Sequence, residues 1–464
     1  MSVSSSTPSR SLPIGVIFLT LFIDLVGFSI IFPLFPSMLE FYLESEGQDG
    51  LLGALLSFLH TFSGPGEGSD HFTAVLFGGV LGSIYSLLQF VFAPLWGSLS
   101  DRYGRRAILL YTVSGTALSY LLWFFSGSFL LFILSRLLGG AMGGNLSVAT
   151  AAIADVTSRK NRAKGMALVG VAFGLGFIMG PVIGGFSAGI DVAAIFPGLE
   201  VLGVNPFSGA AGVAFLLALI NLVWVITRFR ETLPPEKRRA RFSYAERSPA
   251  KVLRIRLEPE VRKTNWIFFV YILSFSGMEF TLTFLANQRF GYGPVEIAVL
   301  FVFIGVLIVL TQGLLVRRMV PAFGEKMVTL TGLILVMAGL FTVGMAYNVP
   351  VLYFGLALMA VGSGLINPAL SALVSLYTSA ERQGEILGVF RSLGSLGRAI
   401  GPLLASFVFW WYGSSFSYSL GAVMLFIPLV LAFFLPRPFK GEDPEKAEEA
   451  AEAVDLERKS QAEG

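Results

Sequence analysis

Runs of about twenty predominantly apolar residues recur from one end of this 464-residue chain to the other, and they dictate what it can fold into. A helix needs about 20 such residues to cross the hydrocarbon core of a bilayer. With its backbone hydrogen bonds closed internally, it is one of two structures able to do so. Candidate spans are 12–39, 72–94, 107–125, 129–153, 165–186, 210–228, 265–287, 295–316, 327–347, 350–374, 386–410 and 416–435. The shorter run Leu51–Phe62 suits an amphipathic helix at the interface. Composition agrees: 54% of residues are hydrophobic and 14% charged, against about 25% charged in a soluble domain. Most of the surface must face lipid. The expected fold is an all-α membrane protein of twelve transmembrane helices.

Basic residues orient it. With both termini in the cytoplasm, 29 of the 33 lysines and arginines fall on the cytoplasmic side. Arg136, Arg391 and Arg398 fall inside spans, and only Arg289 lies outside. The first outer loop, 40–71, holds six acids and no base. This asymmetry is the positive-inside pattern and supports N-in, C-in topology. The predicted organisation is a six-helix bundle over 1–228, a basic cytoplasmic loop over 229–264, a second bundle over 265–436 and an acidic tail over 437–464.

An offset of about 221 residues ties the halves together. Gly174, Gly176, Gly180, Pro181 and Phe186 of span 5 are matched by Gly394, Gly397, Gly401, Pro402 and Phe407 of span 11. Thr157-Ser158 matches Thr378-Ser379 loosely. Duplicated six-span halves with a site between them are a transporter architecture.

Several chemistries are excluded. No cysteine is present, so disulfides, thiolate nucleophiles and Cys-ligated metals are ruled out. His60 and His71 both lie in one polar loop, leaving no intramembrane histidine to relay protons or bind metal. No Gly-Lys dipeptide occurs, so a phosphate loop for ATP is absent. Phe290-Gly-Tyr-Gly293 lacks the Thr-Val of a potassium filter. The expectation is a transporter rather than an enzyme, with no cofactor, no metal and no nucleic-acid partner. Its partners are a small-molecule substrate, protons and the lipid bilayer, and the default state is a monomer.

An ionised side chain within the membrane costs several kcal/mol, so each is a functional candidate. Asp24 sits midway along span 1 and can load and lose a proton; the alternative is a carboxylate permanently paired with Arg136. Arg136 of span 4 cannot deprotonate, so it tunes a neighbouring acid or neutralises Asp24 for packing. Glu279 of span 7, beside Met278, Phe280 and Phe284, suits a protonatable substrate or a second proton site; alternatively it reaches outer water. Arg391 and Arg398 lie two turns apart on one face of span 11 and could hold an anionic group, though Arg391 can snorkel to the cytoplasm. Phe28, Asn145, Gln89, Asn287 and Asn367 are candidate cavity residues or interhelical contacts. Gly176, Gly180 and Gly184, four apart, make a smooth ridge for close helix approach, and Pro181 favours a kink.

The loop between spans 2 and 3 reads Gly97-Ser-Leu-Ser-Asp101-Arg102-Tyr103-Gly104-Arg105-Arg106. From spacing alone it is either a charged lock between the halves or a solvated basic loop. It resembles the G-x-L-x-D-R-x-G-R-R signature of the major facilitator superfamily. Asp24-Leu-Val-Gly27, followed by Pro33 and Pro36, is similar to the first span of drug:proton antiporters. Arg136-Leu-Leu-Gly139-Gly140 with Gly144 is similar to their arginine motif. Gly174-Leu-Gly176-Phe-Ile-Met-Gly180-Pro181-Val-Ile-Gly184-Gly185 resembles the antiporter signature. Ala154-Asp155-Val156-Thr157 and Arg230-Glu231-Thr232-Leu233 point to the tetracycline-transporter-like branch. The second-half copy of the loop, Gly313 to Lys326, carries Arg317 where the first carries Asp101. The histidine and aspartate of tetracycline exporters in spans 8 and 9 have no counterpart, which argues against tetracycline itself.

The expected mechanism is alternating access; the resemblance implies a role for Arg136 in proton coupling, and the intramembrane carboxyls Asp24 and Glu279 are the expected proton sites. The substrate site is expected at Asp24, Phe28, Asn145, Glu279, Phe280, Phe284, Asn367 and Arg398, and the gate at Gly97, Asp101, Arg102, Gly104, Arg105 and Arg106. The expected activity is proton-coupled export of cationic or neutral amphipathic molecules. The alternative is transport of an organic anion or metabolite on the span 11 arginines. Compact loops lean toward a bacterial inner membrane.

Overall fold

The computed structural model describes residues 14–47, 50–60, 69–157, 162–238, 257–378 and 382–437. Most of the expected central loop, the acidic tail, Ser158 and Ser379 fall outside these residues. So do the side chains of His60 and His71.

Span 1 is α1 (Ile14–Ser29), continued by a 3-10 turn at Phe32–Leu34 and by α2 (Phe35–Glu46). It runs seven residues beyond the boundary at 39. The reason is where the prolines sit: Pro33 and Pro36 occupy first-turn positions, whose N–H would lack a helical partner anyway. The extension is anchored by the Tyr42 hydroxyl, which donates to the Ser126 carbonyl at 2.8 Å. The Glu46 carboxylate accepts the Phe129 N–H at 2.7 Å, satisfying a free donor at the start of the fourth span. The helix α3 (Leu51–His60) matches the short run read as interfacial.

Then follow α4 (Ser69–Tyr103), α5 (Arg105–Phe124), α6 (Phe129–Met142), α7 (Asn145–Val156), α8 (Arg162–Ser187), the single turn α9 (Val192–Ile195) and α10 (Ser208–Arg228). Span 4 is thus two helices broken at Gly143-Gly144. A Cβ at Gly144 would overlap the Trp96 ring, and the Trp96 indole N–H donates to the Ala141 carbonyl at 2.7 Å. The break admits the indole of α4.

The remaining elements are α11 (Pro259–Phe290), α12 (Pro294–Leu310), α13 (Val316–Gly344), α14 (Val349–Leu376), α15 (Gln383–Met424) and α16 (Phe426–Phe433). A π turn at Thr311–Leu315 joins α12 to α13. The chain reverses inside α13 at Gly324 and inside α15 at Gly413, both at φ 81, a conformation glycine adopts without steric cost. Among the described residues nine helices are long and apolar enough to span a bilayer. The two reversed ones cross twice, and α8 adds the twelfth crossing.

The α1 helix packs on α8 and α10, and α5 on α10 and α6. In the second set α11 packs on α15 and α13 on α14. The sets meet where α4 lies on α15 and α8 on α12. Glycine makes equivalent contacts in both sets. A Cβ on Gly176 would stand 2.6 Å from Leu25 Cβ, and one on Gly180 2.7 Å from the Val26 carbonyl. On Gly184 it would strike the Ile30 carbonyl. Likewise a Cβ on Gly401 would stand 2.6 Å from the Leu273 carbonyl, and one on Gly397 3.0 Å from Ile272. Gly174, by contrast, has nothing within 4 Å among the described residues. The 221-residue sequence repeat is therefore also a repeat of backbone-to-backbone packing.

Candidate functional site

In the first half Asp24 is partly accessible on α1. The buried Asn145 amide donates to Asp24 Oδ1 at 2.8 Å, and the Thr112 hydroxyl donates to Asn145 Oδ1. The helix break described above starts α7 at Asn145 and so aims this amide at α1. Arg136 is one helix away and buried. Its guanidinium lies 4.9 Å from the Trp123 ring centre, 5.6 Å from Phe132, and 6.0 Å from both Tyr85 and Tyr120. Ring faces stabilise a cation. Arg136 forms no ion pair with Asp24 among the described residues, and its Nη2 has no hydrogen-bond partner. Permanent neutralisation of Asp24 by Arg136 is not what the structure shows. Asp24 is held by an amide, and Arg136 by aromatic rings.

In the second half Glu279 of α11 and Arg398 of α15 are both partly accessible and within electrostatic reach of each other. Beside them the Tyr271 hydroxyl donates to Ser363 Oγ at 2.7 Å, and the Asn367 amide donates to the Tyr271 oxygen at 3.3 Å. Ser363 and Asn367 share one face of α14, four residues apart. This cluster places one carboxylate, one guanidinium, one phenol and one amide between three helices.

Among the described residues the close approaches between halves run from the outer ends of the helices toward their middle. Phe32 and Phe35 contact Phe280 with ring centres 6.0 and 5.6 Å apart, and Phe28 contacts Phe32 at 5.4 Å. Gly78 leaves room for Phe284 and Gly82 for Phe280. Gly79 abuts Ser406, Gly185 abuts the Pro294 carbonyl, and Gly305 abuts Ile178. The outer side is closed by rings and glycines. Phe28, Phe280 and Phe284 therefore belong to this closure as much as to a cavity wall.

On the basic side, Arg105 donates from Nη1 to Asp101 at 2.6 Å and from Nε to Asp155 at 3.0 Å. Its Nη1 also donates to Ser100 Oγ at 2.6 Å. Arg105 and Asp101 are almost fully buried. Glu231 accepts the backbone N–H of Arg105 at 2.9 Å and that of Arg106 at 3.3 Å. It thus caps the first turn of α5, where an anion is favoured. Gly104 adopts φ 99, and any Cβ there would strike the Glu231 carboxylate. Arg106 reaches the Ile226 carbonyl at 2.7 Å, whereas Arg102 points outward over Tyr103.

Comparison with known proteins decides the kinship. The Major Facilitator Superfamily model matches residues 17–322 and 313–461. The chain belongs to this superfamily. Major facilitator superfamily domain-containing protein 10 of Bos taurus is 37% identical over 448 residues, covering 92% of this chain and 93% of that protein. The Homo sapiens protein of the same name is 34% identical over 459 residues, covering 94% and 95%. Tetracycline resistance protein class B of Escherichia coli is 28% identical over 445 residues, covering 91% and 96%. Among solved structures, the human organic anion transporter MFSD10 (TETRAN) superposes with a TM-score of 0.71 at 34% identity, over 92% of this chain and all of that one. The protein is an integral, multi-pass secondary transporter of the major facilitator type.

Within that superfamily frame the structure divides the sequence-derived residues into four groups: Asp24 with Asn145, Glu279 with Asn367 and Arg398, the outer closure, and the basic-side network. Gln89 bonds the Gly143 carbonyl at 2.8 Å and supports the span 4 break. Asn287 bonds the Tyr292 carbonyl at 3.2 Å and stays at the outer end of α11. Sequence reasoning missed Thr112, Tyr85, Tyr120, Trp123, Tyr271 and Ser363. The one signal for Tyr271 was a polar-tipped aromatic eight residues before Glu279 in the same span. No sequence signal distinguished the others.

Proposed function

We propose that this protein exchanges amphipathic organic anions for protons by alternating access between two rocking halves, 1–228 and 265–436. The observation that carries the reading is Arg398, partly accessible inside the membrane beside the Tyr271–Ser363–Asn367 cluster. A guanidinium keeps its charge and presents a planar fork that matches a carboxylate. Three cations (Arg136, Arg391, Arg398) and two acids (Asp24, Glu279) lie within the spans, so the interior favours an anionic guest when all are ionised. Kinship to a human organic anion transporter at 34% identity supports the same choice. Asp24, held by a single amide, is the proton carrier; Glu279 answers the charge on Arg398 while no substrate is bound. Arg136, in its aromatic box, tunes the region beside Asp24. The Arg105 network gates the cytoplasmic side.

Exchange of a monovalent anion outward for a proton inward moves two positive charges into the cell. At 100 mV that is worth about 4.6 kcal/mol, enough for a gradient on the order of 10³-fold. A second reading, export of cationic or neutral amphiphiles, is favoured by Asp24 and Glu279 and by the 28% identity to a tetracycline resistance protein. Mammalian and bacterial relatives both align over nine-tenths of the chain.

Inside-out vesicles with an acid interior test the proposal. Organic carboxylates should raise lumenal pH in the wild type and leave it unchanged in Asp24→Asn and Arg398→Ala. A response confined to cations and preserved in Arg398→Ala would establish the second reading instead.

A further inference from the structure

Apart from the connection between α2 and α4, the outer connection between α8 and α10 is longer than the other turns on that side. Phe125–Ser128 and Met345–Asn348 are four-residue turns, and spans 11 and 12 reverse at Gly413 alone. Residues 188–207 form a long loop whose base is fixed and whose tip is apolar. At the base, the Asn205 amide donates to the Ser126 carbonyl at 2.9 Å and the Ser208 hydroxyl to the Phe124 carbonyl at 2.6 Å. Val192, Val204 and Phe207 are buried. Gly203, at φ 91, lies so close to Gly127 and the Phe125 carbonyl that a side chain would not fit. Between Gly198 at φ 98 and Gly203 the chain turns once more, as a 3-10 helix over Leu199–Leu202.

This pinned frame displays Ile195 at 58% exposure, Phe196 at 59%, Val201 at 90% and Leu202 at 60%. Glu200 is the one charged residue in 194–202, and no lysine or arginine occurs from 165 to 227. Scattered exposed leucines need no explanation, but a contiguous exposed apolar patch marks an interaction surface. This patch continues the lipid-facing surface of the helices it joins: Phe186 at the outer end of α8 is 56% exposed, and Leu216 and Ile220 of α10 are 59% and 57% exposed.

We propose that residues 194–202 form an apolar wedge inserted into the interfacial layer of the outer leaflet. Its occupant is the lipid surface, because the wedge adjoins a surface that already faces lipid and offers only one acid to water. The wedge moors the outer end of the first half, next to the junction where α8 meets α12. Among the described residues the second half has no loop of this length on the outer side; there the exposed aromatics Trp411, Tyr412 and Phe416 sit on the helices beside Gly413 instead.

The chain contains no cysteine, so single cysteines can be placed without further engineering. Phe196→Cys and Val201→Cys would carry a bimane label in phosphatidylcholine vesicles. Leu216→Cys supplies the lipid reference and Tyr347→Cys, at a position 75% exposed in the opposite half's outer turn, the water reference. The expected result is quenching by brominated acyl chains at 196 and 201 of at least half that at 216, with iodide quenching several-fold weaker than at 347. Iodide quenching equal to that at 347 would overturn the proposal. Protection from both quenchers, with Val201→Cys cross-linking between molecules, would overturn it in favour of a second copy of the chain.

Discussion

The two halves of this transporter share a packing scheme and differ in what they carry. In each, a helix bearing glycines before a Gly-Pro pair presses against the first helix of its half: α8 on α1, α15 on α11. The chemistry on these equivalent frames has diverged. The first half holds a carboxylate on an amide, an arginine among rings and a buried Asp101–Arg105–Asp155 network. The second half holds Arg398 with Glu279, and at the position matching Asp101 it has Arg317, which is exposed. Contacts between backbones tolerate no added atom, so the repeat survived there. Side chains outside these backbone contacts are under no such constraint and could specialise.

The sharpest way to break this comparison is at the charges. Asp24→Asn should lower proton-driven accumulation by about 10²-fold, the scale of a lost proton-transfer group, yet keep counterflow of labelled substrate between equilibrated compartments. Arg398→Ala should lose both. If Asp24→Asn also abolishes counterflow, the division of proton and substrate between halves is wrong.

The next effect concerns stability. Removing one partner from a buried ion pair costs about 3–5 kcal/mol, so Arg105→Ala should lower the thermal midpoint in detergent by many degrees. Arg317→Ala, at an exposed site, should stay within about 0.5 kcal/mol of wild type. Equal losses would mean that the second-half loop carries a network as well.

The smallest effects test the shared frame. Gly180→Ala and Gly401→Ala both overfill a helix contact and should each cost about 1–3 kcal/mol, read from thermal midpoints. Gly174→Ala, with nothing within 4 Å among the described residues, should cost nothing measurable. A large loss at Gly180 and none at Gly401 would show that only one half depends on its ridge.

Much of this is legible in the sequence. The spans were legible because lipid tolerates only long apolar runs, and Asp24, Arg136, Glu279 and Arg398 because a charge among such runs is costly. The partners of these charges were not legible. Trp123 and Tyr120 are buried around Arg136, while Tyr412 faces outward at 60% exposure. In sequence all three are aromatic residues in or beside apolar segments, and only the fold separates them. The same holds for Asp24 and Arg136: the sequence allows an ion pair, and the helix break at Gly143-Gly144 brings an amide to Asp24 instead.

The glycines of α8 carry one more consequence. On one side Gly176, Gly180 and Gly184 fit α1 backbone against backbone, with Ser29 donating to the Gly176 carbonyl at 2.9 Å. On the other side Gly185 and Ile178 meet Pro294 and Gly305 of α12. The first contact is a weld and the second a parting line. Under the rocking mechanism proposed above, α1 and α8 would travel as one rod, and an outward opening would part the α8–α12 line together with the α4–α15 contact. On that proposal a cross-link between α8 and α12 should arrest transport, whereas one between α1 and α8 should leave it running.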